Sequence, residues 1–224
     1  MYRFVLVALI CSIIPLQAGV LWYQAPNTSA TAYIDQEFPD YSTYSTYQVH
    51  DVTVGAGGWN IQSITGYYTD GHSTIPWPAT ANVLINIFPQ TGSLPVSGDD
   101  PTAGTVYPAS LSVVGASTVV TASGLSINLT AGNYWIGITP IIAFELYGQE
   151  YHQQADAVVG DYSAIRNPGN GFGYGAAWGT YALIGGSLAD GAIRIEGASG
   201  IPEPSTWSLL ALGVCALAFL RRRR

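Results

Sequence analysis

The sequence predicts an all-β protein, a jelly-roll-like β-sandwich ectodomain between two hydrophobic end segments. Three observations predict it. Between about Val20 and Gly200 no long stretch carries an apolar period of 3.6 residues, short runs alternate apolar and polar residues instead, and Gly, Pro, Asn and Asp punctuate nearly every gap. Many short strands so punctuated argue for packed antiparallel layers rather than a parallel α/β sheet.

The strands are expected at residues 47–54, 60–68, 82–88, 117–121, 145–151 and 192–196. Leu125, Ile127 and Leu129 alternate with Ser126, Asn128 and Thr130. Tyr134, Ile136 and Ile138 follow after the turn-like Ala131-Gly132-Asn133, and the pattern predicts a β-hairpin there.

A length of 224 residues suits one domain with appendages. Lys is absent, and the basic residues are Arg3, Arg166, Arg194, Arg221, Arg222, Arg223 and Arg224. Without the two ends, two arginines stand against thirteen acidic residues from Asp35 to Glu196, a formal charge of −11. Such a surface repels phosphate backbones, which excludes nucleic acid as a partner. The two cysteines, Cys11 and Cys215, lie in the hydrophobic ends, so the region between them has neither a disulfide framework nor a cysteine metal site. Its stability rests on core burial, for which roughly 180 residues suffice.

At the N-terminal side Arg3 precedes an apolar run over residues 4–14, then Pro15, then Leu16-Gln17-Ala18. A positive end, an apolar stretch and a small-residue exit form the tripartite pattern of a signal-peptide helix over residues 1–18, cut after Ala18. The run is short for a hydrocarbon layer of ~30 Å. Residues 19–200 then form the ectodomain. At the other side Pro202-Glu203-Pro204 precedes an apolar stretch over residues 207–220 and the four terminal arginines. Trp207 suits a membrane interface, and the arginines hold that end inside, so the stretch is expected to be a single transmembrane helix. The two prolines favour an extended, preorganised backbone, with one charge from Glu203 between them.

This order of P-E-P, short apolar helix and arginine cluster over residues 201–224 resembles the PEP-CTERM sorting tail of Gram-negative bacteria. The resemblance implies that Pro202, Glu203 and Pro204 are read by exosortase, a membrane enzyme thought to use sortase-like cysteine chemistry, and that Arg221, Arg222, Arg223 and Arg224 set the topology. It also implies transient anchoring in the inner membrane, then a place at the cell surface or in the extracellular matrix, in association with extracellular polysaccharide. The fragments Gly57-Gly58-Trp59-Asn60-Ile61, Gly132-Asn133-Tyr134-Trp135 and Ala192-Ile193-Arg194-Ile195 are similar to the β-rich ectodomains of such proteins.

No catalytic residues are expected. His50, His72 and His152 are far apart, and none stands in a zinc-binding spacing. The acidic groups Asp99-Asp100, Glu145 with Glu150, and Asp35 with Glu37 and Asp40 read as turn formers and solubilising charges, although a glycosidase needs such pairs. No metal site is assigned and no cofactor is expected, with calcium in a carboxylate-rich loop the ion left open. The glycine-rich Gly171-Phe172-Gly173-Tyr174-Gly175 follows a turn cluster rather than a strand, so it reads as a surface loop. Tyr33, Tyr41, Tyr44, Tyr47, Tyr67, Tyr68, Trp77, Trp135, Trp178 and Tyr181 exceed what a small core needs, and some are expected to face solvent, where rings stack on sugars. The resulting expectation is a non-enzymatic, exosortase-sorted surface or matrix protein, structural or glycan-associated, within a biofilm. The alternatives are a secreted polysaccharide-active enzyme and a carbohydrate-binding lectin-like module.

Overall fold

The computed structural model describes residues 18–70 and 76–200. The predicted signal helix, His72, the sorting residues Pro202, Glu203 and Pro204, the apolar stretch and the four terminal arginines lie outside the described residues. Among the described residues no helix is long and apolar enough to cross a membrane.

The described residues form twelve strands in order: β1 (Gly19–Tyr23), β2 (Tyr33–Ile34), β3 (Tyr47–Val54), β4 (Trp59–Asp70), β5 (Thr80–Pro89), β6 (Thr105–Val114), β7 (Ser117–Leu129), β8 (Gly132–Ile141), β9 (Glu150–His152), β10 (Ala164–Arg166), β11 (Gly179–Thr180) and β12 (Ile193–Ser199). One short helix, α1 (Phe144–Tyr147), precedes β9. The strands join in the order β1-β12-β4-β7-β6-β5-β8-β3-β10-β11, with β9 bridging β2 and β4. All of these strand pairs are antiparallel. The all-β expectation therefore holds, and the walls of the sandwich belong to one curled sheet continuous through β6. Its two sides come close, since a Cβ on Gly66 of β4 would stand 3.1 Å from Ile138 Cγ2 of β8.

The curl has a local cause at Gln62. Both neighbours of β4 slip register there: β12 between Glu196 and Gly197, and β7 between Ser123 and Ile127, where Gly124 takes φ 71°. A bulge bends the strand and reverses which face its next residues present. Hence Ile61 and Ile64, which are not an even number of residues apart, are both fully buried in the same core. That core joins Val52, Ile61, Ile64, Val83, Val120, Ile136, Ile138, Ile193 and Ile195 from strands on both sides. A second layer, Val49, Trp135, Ala164 and Trp178, covers the outer face of β3 and β8.

Three sequence expectations change. Residues 125–129 and 134–138 are strands, but they do not pair with each other. The end of β7 pairs with β4, and β8 pairs with β5 and β3, so the turn at Ala131 carries the chain from one wall to the other. The expected strand over 145–151 is helix α1 followed by the short β9. The candidates at 117–121 and 125–129 fuse into the single strand β7.

Registers also place the ends of the sheet. Gly19 of β1 faces Gly197 of β12, and Ser199 faces Trp59, so the first strand begins where the last one ends. At the other end of β4, Asp70 pairs with Glu150. These two poles are separated by the length of a twelve-residue strand, roughly 35 Å.

Candidate functional site

One short segment, Asp35-Gln36-Glu37-Phe38-Pro39-Asp40-Tyr41, organises the pole away from Gly200, and each of its polar side chains has a distinct partner. Asp35 faces inward and is completely buried. Its Oδ1 accepts from the Gln48 N–H at 3.1 Å and the Thr139 hydroxyl at 2.7 Å. Its Oδ2 accepts from the Tyr68 hydroxyl at 3.1 Å and lies 3.0 Å from His152 Nδ1. The Tyr68 hydroxyl also reaches the Ile138 carbonyl. His152 Nε2 stands 2.8 Å from the Ala192 carbonyl, which can only accept, so this nitrogen carries a proton.

His50 lies against this group, its ring 4.8 Å from that of His152 and edge-on at 73°. Burial, and second to it the charge of His152, holds His50 well below its ordinary value of 6.5, so the ring is neutral. Ser163 Oγ sits 2.7 Å from His50 Nδ1 and accepts from the Gly191 N–H at 2.8 Å. A Cβ on Gly191 would come 2.2 Å from His50 Cε1, which is why this position has no side chain. Burial pushes the Tyr68 and Tyr181 hydroxyls well above 10, and Tyr181 donates to Gln48 Oε1 at 2.5 Å. A Ser–His–Asp set is thus brought together, yet His50, Ser163, His152 and Asp35 are all sealed from solvent at 0–1 % exposure. A nucleophile needs access to its substrate; these groups hold the wall strands together instead.

Outward from Asp35 the same segment builds a groove. Gln36 donates to the Ile142 carbonyl at 2.9 Å and the Gly148 carbonyl at 3.2 Å, and its Oε1 accepts from the Glu150 N–H at 2.8 Å. This clamps the loop carrying α1. Asp40 then accepts from the Phe144 N–H at 3.0 Å and the Glu145 N–H at 2.9 Å, capping α1 from outside its own chain segment. Slight desolvation raises the Asp40 carboxyl, but the Glu145 and Phe144 N–H groups outweigh it and leave the carboxyl below its ordinary 3.8.

The groove, of about 390 Å³, is lined by Phe38, Tyr41, Tyr44, Phe144, Gln149 and Phe172. Phe38 is the buried floor, while Tyr41, Tyr44, Phe144 and Phe172 are each about two-fifths exposed. Phe144 meets Phe38 and Tyr41 edge-on at 5.8 and 5.7 Å, and Tyr44 meets Phe172 at 5.2 Å. The Tyr41 hydroxyl donates to Glu145 Oε1 at 2.9 Å. The glycine-rich loop is pinned behind these rings: Asn167 Nδ2 donates to the Thr43 and Ser45 carbonyls at 2.9 and 2.8 Å, and Gly171 N–H to the Thr43 carbonyl at 3.0 Å. Cβ atoms at Gly169 or Gly171 would lie 2.5 and 2.7 Å from Thr43, so only glycine allows this approach.

Of the aromatic residues singled out in the sequence, Tyr41 and Tyr44 reach the groove, whereas Tyr33, Tyr47, Tyr68, Trp135, Trp178 and Tyr181 are buried. Phe144 and Phe172 were missed, because each comes from a loop that only the fold brings alongside Tyr41 and Tyr44. Among the acidic groups, Asp99 accepts from Val96 N–H at 2.9 Å and Asp100 from Thr102 N–H at 3.0 Å, the work of turn formers. Glu37 accepts from the Tyr47 hydroxyl at 3.2 Å. Among the described residues no three His, Cys, Asp or Glu side chains gather as a metal site.

The comparisons bear on the other end of the chain. A family model for the PEP-CTERM protein-sorting motif matches residues 200–224, the segment that begins where β12 ends. No curated protein matches the chain. The motif supports export with membrane-associated processing by exosortase, and the β-rich ectodomain is the cargo that precedes it; the chain carries a PEP-CTERM protein-sorting motif over residues 200–224.

Proposed function

We propose that this is a non-enzymatic cell-surface or extracellular-matrix protein, delivered by its signal peptide and its P-E-P tail and acting as a structural or glycan-associated component of a biofilm. The observation that carries the reading is the sorting motif at residues 200–224, joined directly to the last strand of the sheet. The fold is suited to such handling. Gly19 and Gly197 pair, so a signal peptide cut after Ala18 and a tail cut near Pro202 both leave from one pole. With Arg221, Arg222, Arg223 and Arg224 held inside, the apolar stretch halts transfer and sets Pro202-Glu203-Pro204 at the outer edge of the bilayer.

The non-enzymatic reading has support in how the acids are used. A glycosidase needs two carboxyls roughly 5 to 10 Å apart across a sugar. Here Asp40 is occupied by two backbone N–H groups, Asp35 is sealed in the core, and Glu145 receives the Tyr41 hydroxyl.

The test is mass spectrometry of the matrix-associated protein. Its N-terminus is expected at Gly19 and its C-terminus near Pro202, with Cys215 removed and no thiol left to label. Replacing Pro202, Glu203 and Pro204 by alanine is expected to retain the protein in the membrane fraction. Unchanged delivery of that variant to the matrix overturns the reading.

A further inference from the structure

The groove and the tail occupy opposite poles of the sheet, and the registers establish this step by step. Trp59 of β4 pairs with Ser199 at the tail pole, while Asp70 pairs with Glu150, next to Gln149 of the groove. β8 starts at Gly132 beside Val54 and ends at Ile141, from which the chain runs on to Phe144. β3 ends at Val54 near the tail pole and starts at Tyr47, three residues after Tyr44. Phe38, Tyr41, Tyr44, Phe144 and Phe172 therefore stand roughly 35 Å from the residues that lead into the sorting motif.

We propose that this membrane-distal groove binds an uncharged polysaccharide chain, with the four half-exposed rings as stacking platforms. The proposal deepens the matrix reading above and rests on it for the orientation. A pyranose presents a face of weakly positive C–H groups and an edge of hydroxyls. An aromatic ring offers a negative π-face to the first, and the Tyr44 hydroxyl, the Gln149 amide and the Glu145 carboxylate beside the groove suit the second.

Charge selects among ligands. The arginines of the described residues are engaged elsewhere: Arg166 donates to the Ala176 and Asp99 carbonyls, and Arg194 pairs with Glu196 at 2.5 Å. The groove has no cation in its lining, and the ectodomain carries −11, so uronates, sulfated glycans and anionic lipid headgroups are repelled. Neutral sugars carry no such cost.

The rings are also held before any ligand arrives. Asp40 fixes Phe144, Glu145 fixes Tyr41, and the Asn167 and Gly171 bonds fix the loop that bears Phe172 against Tyr44. The loops that carry the rings therefore have little freedom to lose on binding, which lowers the cost of taking up a weakly held, repetitive ligand.

The test uses the purified full chain in detergent on an array of neutral hexasaccharides of gluco, manno, galacto and xylo configuration, beside an oligogalacturonate of equal length. At least one neutral hexasaccharide is expected to bind, and the oligogalacturonate at least tenfold more weakly. Tyr44→Ala and Phe144→Ala are expected to weaken binding about tenfold each, while Tyr44→Phe, which keeps the ring, stays within about threefold. Thermal midpoints of all variants are recorded, and the comparison rests on Tyr44→Phe should an alanine variant unfold. Absence of neutral-glycan binding, preference for the oligogalacturonate, or binding indifferent to ring removal overturns the proposal. Groove variants are expected to be processed at the tail like the wild type, so failure of sorting and failure of glycan binding are read separately.

Discussion

His152 Nδ1 stands 3.0 Å from Asp35 Oδ2, and neither side chain has any exposed surface. The two residues come from different strand-edge segments and together tie β9 to β3, β4 and β8, since the same carboxylate also holds Gln48, Tyr68 and Thr139. Asp35→Ala leaves several buried donors unpaired at once. The expected cost is about 3–5 kcal/mol, and Asp35→Asn, which preserves an acceptor for Gln48 and Thr139, costs less. Urea unfolding measures both, and equal effects would show that the charge is irrelevant.

His50 sets an acid-side limit on stability. It is neutral when folded and held well below 6.5, whereas in the unfolded chain it titrates near 6.5. Below pH 6.5 the unfolded chain binds the extra proton, so stability falls as the pH drops, by at most about 1.4 kcal/mol per pH unit for this group. His152 and Ser163 are the polar groups that face it, and both remain in the variant. His50→Gln is expected to lower stability at pH 8 yet to flatten the decline between pH 6.5 and 5. Unfolding midpoints across that range decide it, and an unchanged slope would assign the decline to other groups.

Asp40 is the outside cap of α1. Asp40→Ala frees the Phe144 and Glu145 N–H groups and is expected to cost about 1 kcal/mol, as loss of a helix cap does. Hydrogen exchange at these two amides should quicken, while amides of the β4–β7 ladder keep their protection. Equal quickening in both places would mean that the cap supports the whole sheet.

Gly137 lets β8 lie against β3. A Cβ there would meet the Gln48 carbonyl oxygen at 2.1 Å and Val49 Cγ1 at 3.0 Å, and the oxygen belongs to the backbone, so it has little room to move. Gly137→Ala is expected to cost about 1–3 kcal/mol in thermal or urea unfolding. A neutral result would show that the two strands separate freely at this point.

By itself the sequence determined the class of fold and the route of the protein. Runs rich in β-branched and aromatic residues at 47–54 and 82–88, closed by Gly and Pro turn residues, placed β3 and β5, although the fold buries consecutive residues of each strand and so writes no two-residue period there. The sorting tail was readable because its parts are contiguous: prolines, apolar stretch and arginines act in sequence order. Strand β6 was hidden by Pro108, which counts against a strand yet pairs opposite Asn82. Only the tertiary structure decided that β7 and β8 part company, since alternation fixes a face and leaves the partner strand open. It alone also joined His50, His152, Asp35 and Ser163, and set Phe144 and Phe172 beside Tyr41 and Tyr44. These contacts span up to about 130 residues of chain, and proximity of that kind arises from the curl at Gln62 and the loops it brings together, for which no local pattern of residues exists.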